Sequence, residues 1–195
     1  MIEIVRAAMS SAADALAKLR QDESTLAAIA AAGDLLVDAF LQGRSVYSCG
    51  NGGSMCDAMH FAEELSGKFR RERKALPAMA ISDPAHLSCA ANDFGYDSVF
   101  ARFVEAHGRR GDVLLAISTS GNSPNILAAA TVARQAGMKV VALTGKNPSK
   151  LAPLADINIC TPGGTPYSDR IQELHIKVIH TLIELCEHRL FSAGT

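Results

Sequence analysis

Asp112-Val113-Leu114-Leu115-Ala116-Ile117-Ser118-Thr119-Ser120-Gly121-Asn122-Ser123 decides the fold: six residues of buried-strand character run straight into a loop of hydroxyl side chains. A strand with one wet face alternates apolar and polar residues, and this one does not. Both of its faces must be covered, which is the condition of a strand inside a parallel sheet. Downstream, Lys139–Leu143 and Asp156–Cys160 read the same way; upstream, Ser45–Cys49 and Ala78–Ile81 do. Between these strands lie helical segments: from the Gly50–Ser54 loop to about Ser66, around Pro84–Asn92 and Ser98–His107, from Ser123 to near Gly137, and a long one from Ser168 to Leu190. Strand–helix alternation of this kind predicts a doubly wound α/β fold with a five-stranded, mainly parallel sheet flanked by helices.

Ahead of the first strand, Val5, Met9, Ala12, Leu16 and Leu19 follow helical spacing, as do Leu26, Ile29, Gly33, Leu36, Val37 and Phe40. Two N-terminal helices follow, the second closed by Gly43 in a left-handed conformation. The chain therefore reads as one domain over 1–195. Residues 1–43 read as a helical extension, expected to pack in the oligomer that a family resemblance described below implies, and 44–195 as the α/β core.

Nineteen basic and twenty acidic residues leave a net charge of −1, so nothing pulls the whole molecule toward nucleic acid or an anionic membrane. Any anion site must be local. The N-terminus has no basic region followed by an apolar stretch and cleavage site, and no apolar run approaches the ~20 residues needed to span a bilayer. The five cysteines (49, 56, 89, 160, 186) form no C-x-x-C pair, which argues against a disulfide framework and a thiolate zinc site. A cytoplasmic location is expected.

In parallel sheets, ligands sit beyond the carboxyl ends of the strands. Both small-residue loops, Gly50–Ser54 and Ser118–Ser123, fall there. Ser118, Thr119, Ser120 and Ser123 surround Gly121 just before a helix. Free N–H groups at a helix start, neutral hydroxyl donors and close backbone approach together suit a phosphate without Lys or Arg. Helix capping alone also favours serine at such a position. No Walker A or G-x-G-x-x-G pattern is present, which disfavours nucleotides.

On the helix after Gly53, Asp57, His60 and Glu64 fall within about 60° of arc, opposite Met55, Ala58, Ala62 and Leu65. An amphipathic helix showing its polar side to water would give the same pattern. The last helix carries Asp169, Gln172, His175 and His180, with an apolar arc of about 200°, more than one sheet face requires, which points to subunit packing. Gln172 and His180 are two turns apart, roughly 12 Å of rise. The run Lys68, Arg70, Arg71, Arg73, Lys74 reads as a solvated loop, or as local attraction for an anionic substrate.

Ser48–Ser54, Asp57–Glu64, Ala91–Phe94, Ile117–Ser123 and Asp169–His180 resemble the bacterial phosphoheptose isomerase family (sedoheptulose-7-phosphate isomerases) of the sugar isomerase (SIS) domain superfamily. The resemblance extends over essentially the whole chain; the loop Thr161–Pro166 departs from it. It implies conversion of D-sedoheptulose 7-phosphate to D-glycero-D-manno-heptose 7-phosphate, the first step toward ADP-heptose for lipopolysaccharide cores. It also implies a homotetramer with sites at subunit interfaces.

By position, the resemblance implies Glu64 as base and His180 as its complementary acid. It implies substrate contacts from Asn51, Gly52, Gly53, Glu64, Asn92, Asp93, Ser118, Thr119, Ser120, Ser123 and Gln172. Zinc, one per subunit, would be held by His60, Glu64, Gln172 and His180, with no nucleotide cofactor. Glu64 cannot be both a tightly held ligand and a free base without a change in coordination. A different class shares the loops: non-catalytic SIS-domain tetramers that bind the bacterial replication initiator protein. Those relatives lack the Glu and the final His, and Glu64 and His180 are both present here.

Overall fold

The structure is a computed structural model that describes residues 1–162 and 167–191. Within them, helices α1 (Ile2–Gln21) and α2 (Glu23–Leu41) precede β1 (Val46–Cys49), α3 (Gly53–Ser66), β2 (Ala78–Ala80), α4 (Pro84–Phe94) and α5 (Val99–His107). There follow β3 (Val113–Ser118), α6 (Pro124–Gln135), β4 (Lys139–Thr144), β5 (Ile157–Cys160) and α7 (Ser168–Phe191). Residues 163–166 of the divergent Thr161–Pro166 loop lie outside the described residues.

The five strands pair in the order β2-β1-β3-β4-β5, every pair parallel. The expected sheet is present and is wholly parallel. Strand order reverses between β1 and β3, and at such a switch point the following loops diverge and leave a crevice. Here those loops are the Gly50–Gly53 turn and the hydroxyl segment.

Period-two geometry divides β3 between two cores. Val113, Leu115 and Ile117 join α2, α3 and α7 in one core; Leu114 and Ala116 join α4, α5 and α6 in the other. Every residue of β3 is buried, as its unbroken apolar run requires. Buried Asp112 precedes it and knits the lower edge of the sheet: one carboxylate oxygen accepts from Ser45 N at 2.9 Å and the other from Arg109 N at 2.9 Å.

Asp22 separates the two N-terminal helices by capping α2, its carboxylate accepting from Ser24 N and Thr25 N. The side-chain bonds from Ser24 and Thr25 hold its pKa down, near 2. Contrary to the expectation that no run is long enough to span a bilayer, α2 is long and apolar enough by length and composition. Its Ile29, Ala32, Leu36, Val37 and Phe40 are nevertheless buried in the core shared with α7. A Cβ on Gly33 would stand 2.6 Å from Leu185 Cδ1, so the close approach of α2 to α7 depends on the missing side chain. Gly43 closes α2 at φ +67° as anticipated. In α1 only Leu19 is buried, and Ile2, Ile4, Val5, Met9 and Leu16 are exposed.

Candidate active site

Helix α3 leaves the β1 turn at the switch point, and α7 packs beside it. A Cβ on Gly53 would lie 2.6–2.8 Å from the Gln172 amide, so Gln172 rests directly on the first residue of α3. Two turns further along both helices, His60 Nε2 stands 2.9 Å from His180 Nε2. The contacts advance in step, so the helices run side by side in the same direction.

His60 is the hub. Its Nε2 is 3.6 Å from Glu64 Oε1 and its Nδ1 is 3.2 Å from Glu63 Oε1. The i,i+4 spacing on α3 supplies the first contact and i,i+3 the second. His180 packs edge-on against His60 and stacks on Phe69, with ring centroids 5.0 and 5.8 Å away. Burial, then the neighbouring His60, pulls the His180 pKa below its ordinary value, while Glu64 pulls it up. Two ring nitrogens 2.9 Å apart share one proton, so one of them must be unprotonated.

Asp57 is not on a wet face. It is buried, its Oδ2 has no partner among the described residues, and burial pushes its pKa up to about 6 against the opposing pull of His60. A plain amphipathic helix does not hide a carboxylate in this way.

Across the crevice, Ser123 precedes α6 but does not cap it with its side chain. Its hydroxyl lies 3.1 Å from that of Ser118 at the end of β3. Side-chain capping therefore does not account for Ser123, whose carbonyl instead accepts from Ile126 N and Leu127 N while Pro124 brings no N–H to the first turn of α6. Thr119 and Ser120 are half-buried in the same turn, and Ser120 Oγ accepts from Asn122 N.

Asn51 is held on three sides. It exchanges amide hydrogen bonds of 2.9 and 2.8 Å with buried Asn125 and accepts from Tyr96 Oη at 3.2 Å. Gly52 and Gly53 are exposed beside it. Asn92 and Asp93 lie exposed in the last turn of α4, where Asn92 Nδ2 donates to Asp93 Oδ1 at 2.7 Å. They pair with each other rather than with the α3–α7 cluster.

The fold thus brings His60, Glu64 and His180 into one cluster and places Gln172 two turns away along the same helix pair. The donor set suits zinc: two imidazoles and a carboxylate are ligand types that zinc takes. Ligand atoms of His60, Glu63 and Glu64 all lie within 4.8 Å of one another. Glu63, Phe69, Tyr96 and Asn125 were not anticipated. Only Glu63 carried a local signal, its i,i+3 spacing to His60; the others depend on tertiary packing.

The basic run also differs from expectation. Arg70 pairs with Glu184 at 2.5 Å and lies over Phe69. The Arg73 side chain is 1% exposed and pairs with Glu187, 4% exposed, at 3.0 Å. At Arg73 the run is interior structure, not a solvated loop.

Comparison with known proteins shows the family of the chain. The SIS domain family profile matches residues 9–145. A phosphoheptose isomerase of Yersinia pestis (strain Pestoides F) is 58% identical over 191 residues, covering 98% of each chain. That of Vibrio cholerae is 55% identical over 188 residues, covering 96% of this chain and 98% of its own. Among solved structures, a phosphoheptose isomerase from Francisella tularensis superposes with a TM-score of 0.90 at 34% identity, covering 96% and 98% of the two chains. GmhA from Neisseria gonorrhoeae does so at 0.87 and 35%, covering 95% and 97%. The chain belongs to the phosphoheptose isomerase family of SIS-domain proteins.

Proposed function

We propose that the protein isomerises D-sedoheptulose 7-phosphate to D-glycero-D-manno-heptose 7-phosphate through an enediol, the opening step of ADP-heptose supply. The observation that carries this is the convergence of Glu64, His60 and His180 from two helices at the sheet's switch point. A ketose-to-aldose conversion moves one proton between C1 and C2 and another between the two oxygens. Glu64, only 17% exposed at its side chain, takes the carbon-bound proton and returns it to the neighbouring carbon. His180, whose pKa burial lowers, donates to one oxygen and accepts from the other.

The phosphate lies on Ser118, Thr119, Ser120 and Ser123, where hydroxyls and the start of α6 neutralise it without a cation. Asn51, Gly52, Gly53, Asn92, Asp93 and Gln172 contact the sugar chain. Zinc, with His60, Glu64, Gln172 and His180 as its holders, would polarise the sugar carbonyl, and Glu64 would change its coordination to serve as the base. The chain acts as a single SIS domain in a cytoplasmic homotetramer. The exposed Ile2, Ile4, Val5, Met9 and Leu16 of α1 support burial of residues 1–43 between subunits.

Incubation of the purified protein with sedoheptulose 7-phosphate, with and without chelator, tests the proposal when aldose formation is followed by NMR. Heptose product is expected. Its absence with zinc supplied would turn the assignment to a non-catalytic binding protein.

A further inference from the structure

We infer that Arg73, clamped by Glu187, is a positioning residue for the α3–α7 acid–base pair; this rests on the isomerase reading above. Arg73 lies outside both helices, yet its guanidinium joins them. Nη2 donates to the backbone carbonyl of Glu64 at 2.6 Å and Nη1 to that of Leu65 at 2.7 Å, with longer bonds to the carbonyls of Gly67 and Lys74. Nε donates to Glu187 Oε1 at 3.0 Å, and Glu187 Oε2 accepts from Arg70 N. The ring of Phe191 covers the guanidinium at 5.9 Å.

Three consequences follow from chemistry. The last turn of a helix carries carbonyls without helical partners, and a cation there satisfies them and the helix dipole. The peptide it holds most tightly is that of Glu64, so the backbone of the proposed base is fixed by this contact. The other end of the clamp is on α7, seven residues or about two turns beyond His180. Gln172 on Gly53 and Glu187 with Arg73 therefore pin the helix pair at both ends, and His60–His180 sits between the pins. Sliding or splaying of α7 against α3 would alter the gap between carboxylate and imidazole directly. Only a planar fork can serve two carbonyls and a carboxylate at once, so lysine cannot replace it fully.

Arg73→Lys and Glu187→Gln are the test variants, chosen to keep size and polarity, with folded fraction and oligomeric state checked by circular dichroism and gel filtration. Turnover of sedoheptulose 7-phosphate per folded molecule should fall about 10- to 100-fold, while KM shifts far less, since small misplacement of reacting groups costs rate rather than binding. Arg73→Lys should retain more activity than Arg73→Met. Full turnover in folded Arg73→Lys and Glu187→Gln, with only a lower melting temperature, would mean a purely structural clamp and overturn the inference. Loss of activity in the unmodified protein would instead sink the isomerase reading. In that case a crystal structure of Arg73→Lys decides the positioning claim: a His60–His180 separation still at 2.9 Å overturns it, and a longer one upholds it.

Discussion

His60 and His180, 120 residues apart in the chain, meet nitrogen to nitrogen at 2.9 Å, and Glu64 lies one helical turn from the first of them. A contact between like side chains has little use in a core, because only one proton can occupy the gap. It has use where a proton or a cation is exchanged.

Replacing Glu64 by Gln removes the carboxylate and keeps its shape. Turnover should fall by about three orders of magnitude, in the range typical of a lost general base. Far-UV circular dichroism and melting temperature should stay within the normal scatter of surface variants, because among the described residues the Glu64 side chain pairs with His60 alone. Near-normal turnover would take Glu64 out of the mechanism. His180→Gln should lower turnover by about 10²-fold, and the double variant should be little worse than Glu64→Gln, because groups that act as a unit are not additive.

The hydroxyl loop should govern binding, not rate. Ser118→Ala and Ser123→Ala each remove a neutral donor facing the proposed phosphate. A hydrogen bond to a charged group contributes about 1.5–3 kcal/mol, so KM should rise about 10-fold or more. Turnover should be nearly unchanged. If instead turnover drops and KM holds, the phosphate is not on this loop.

Gly53→Ala places a methyl group 2.6–2.8 Å from the Gln172 amide. A flexible side chain can swing aside, so stability should change by less than about 1 kcal/mol. The displaced amide should raise KM, and Gly53→Ala combined with Gln172→Ala should be no worse than Gln172→Ala alone. Additive losses would show that Gln172 does not work from its perch on Gly53.

The sheet was legible because buried parallel strands write themselves as unbroken apolar runs, and Val113–Ser118 is the clearest. The hydroxyl loop was legible because composition and position coincided. His60 and Glu64 share a face by spacing, but the meeting of His60 with His180 depends on how α7 lies on α3, which no local periodicity encodes. Asp57 and Arg73 misled for a related reason. Charge predicts solvent, and only tertiary contacts reveal that the Asp57 carboxylate is hidden or that Arg73 fills the end of a helix. Asn125 and Tyr96 fall in the same class: polar residues committed to holding another polar residue.

Two buried groups give stability an acid dependence that variants can separate. His175 is fully buried in α7, and burial drives its pKa from 6.5 to about 4, with a weaker opposing pull from the Thr144 backbone. The native state holds it neutral, so its contribution is complete above pH 6.5 and is lost as pH falls through about 4. Asp57 behaves oppositely. Its pKa rises from 3.8 to about 6, so its contribution is complete below pH 3.8 and is lost as pH rises through about 6. Each is on the order of 3 kcal/mol, at about 1.4 kcal/mol per tenfold change in proton affinity, and between pH 4 and 6 they oppose each other. His175→Leu should therefore gain stability relative to the parent as pH falls through that window, and Asp57→Asn should lose it. Urea midpoints measured across the window decide the matter: curves for both variants that run parallel to the parent would show that neither group titrates as its burial requires.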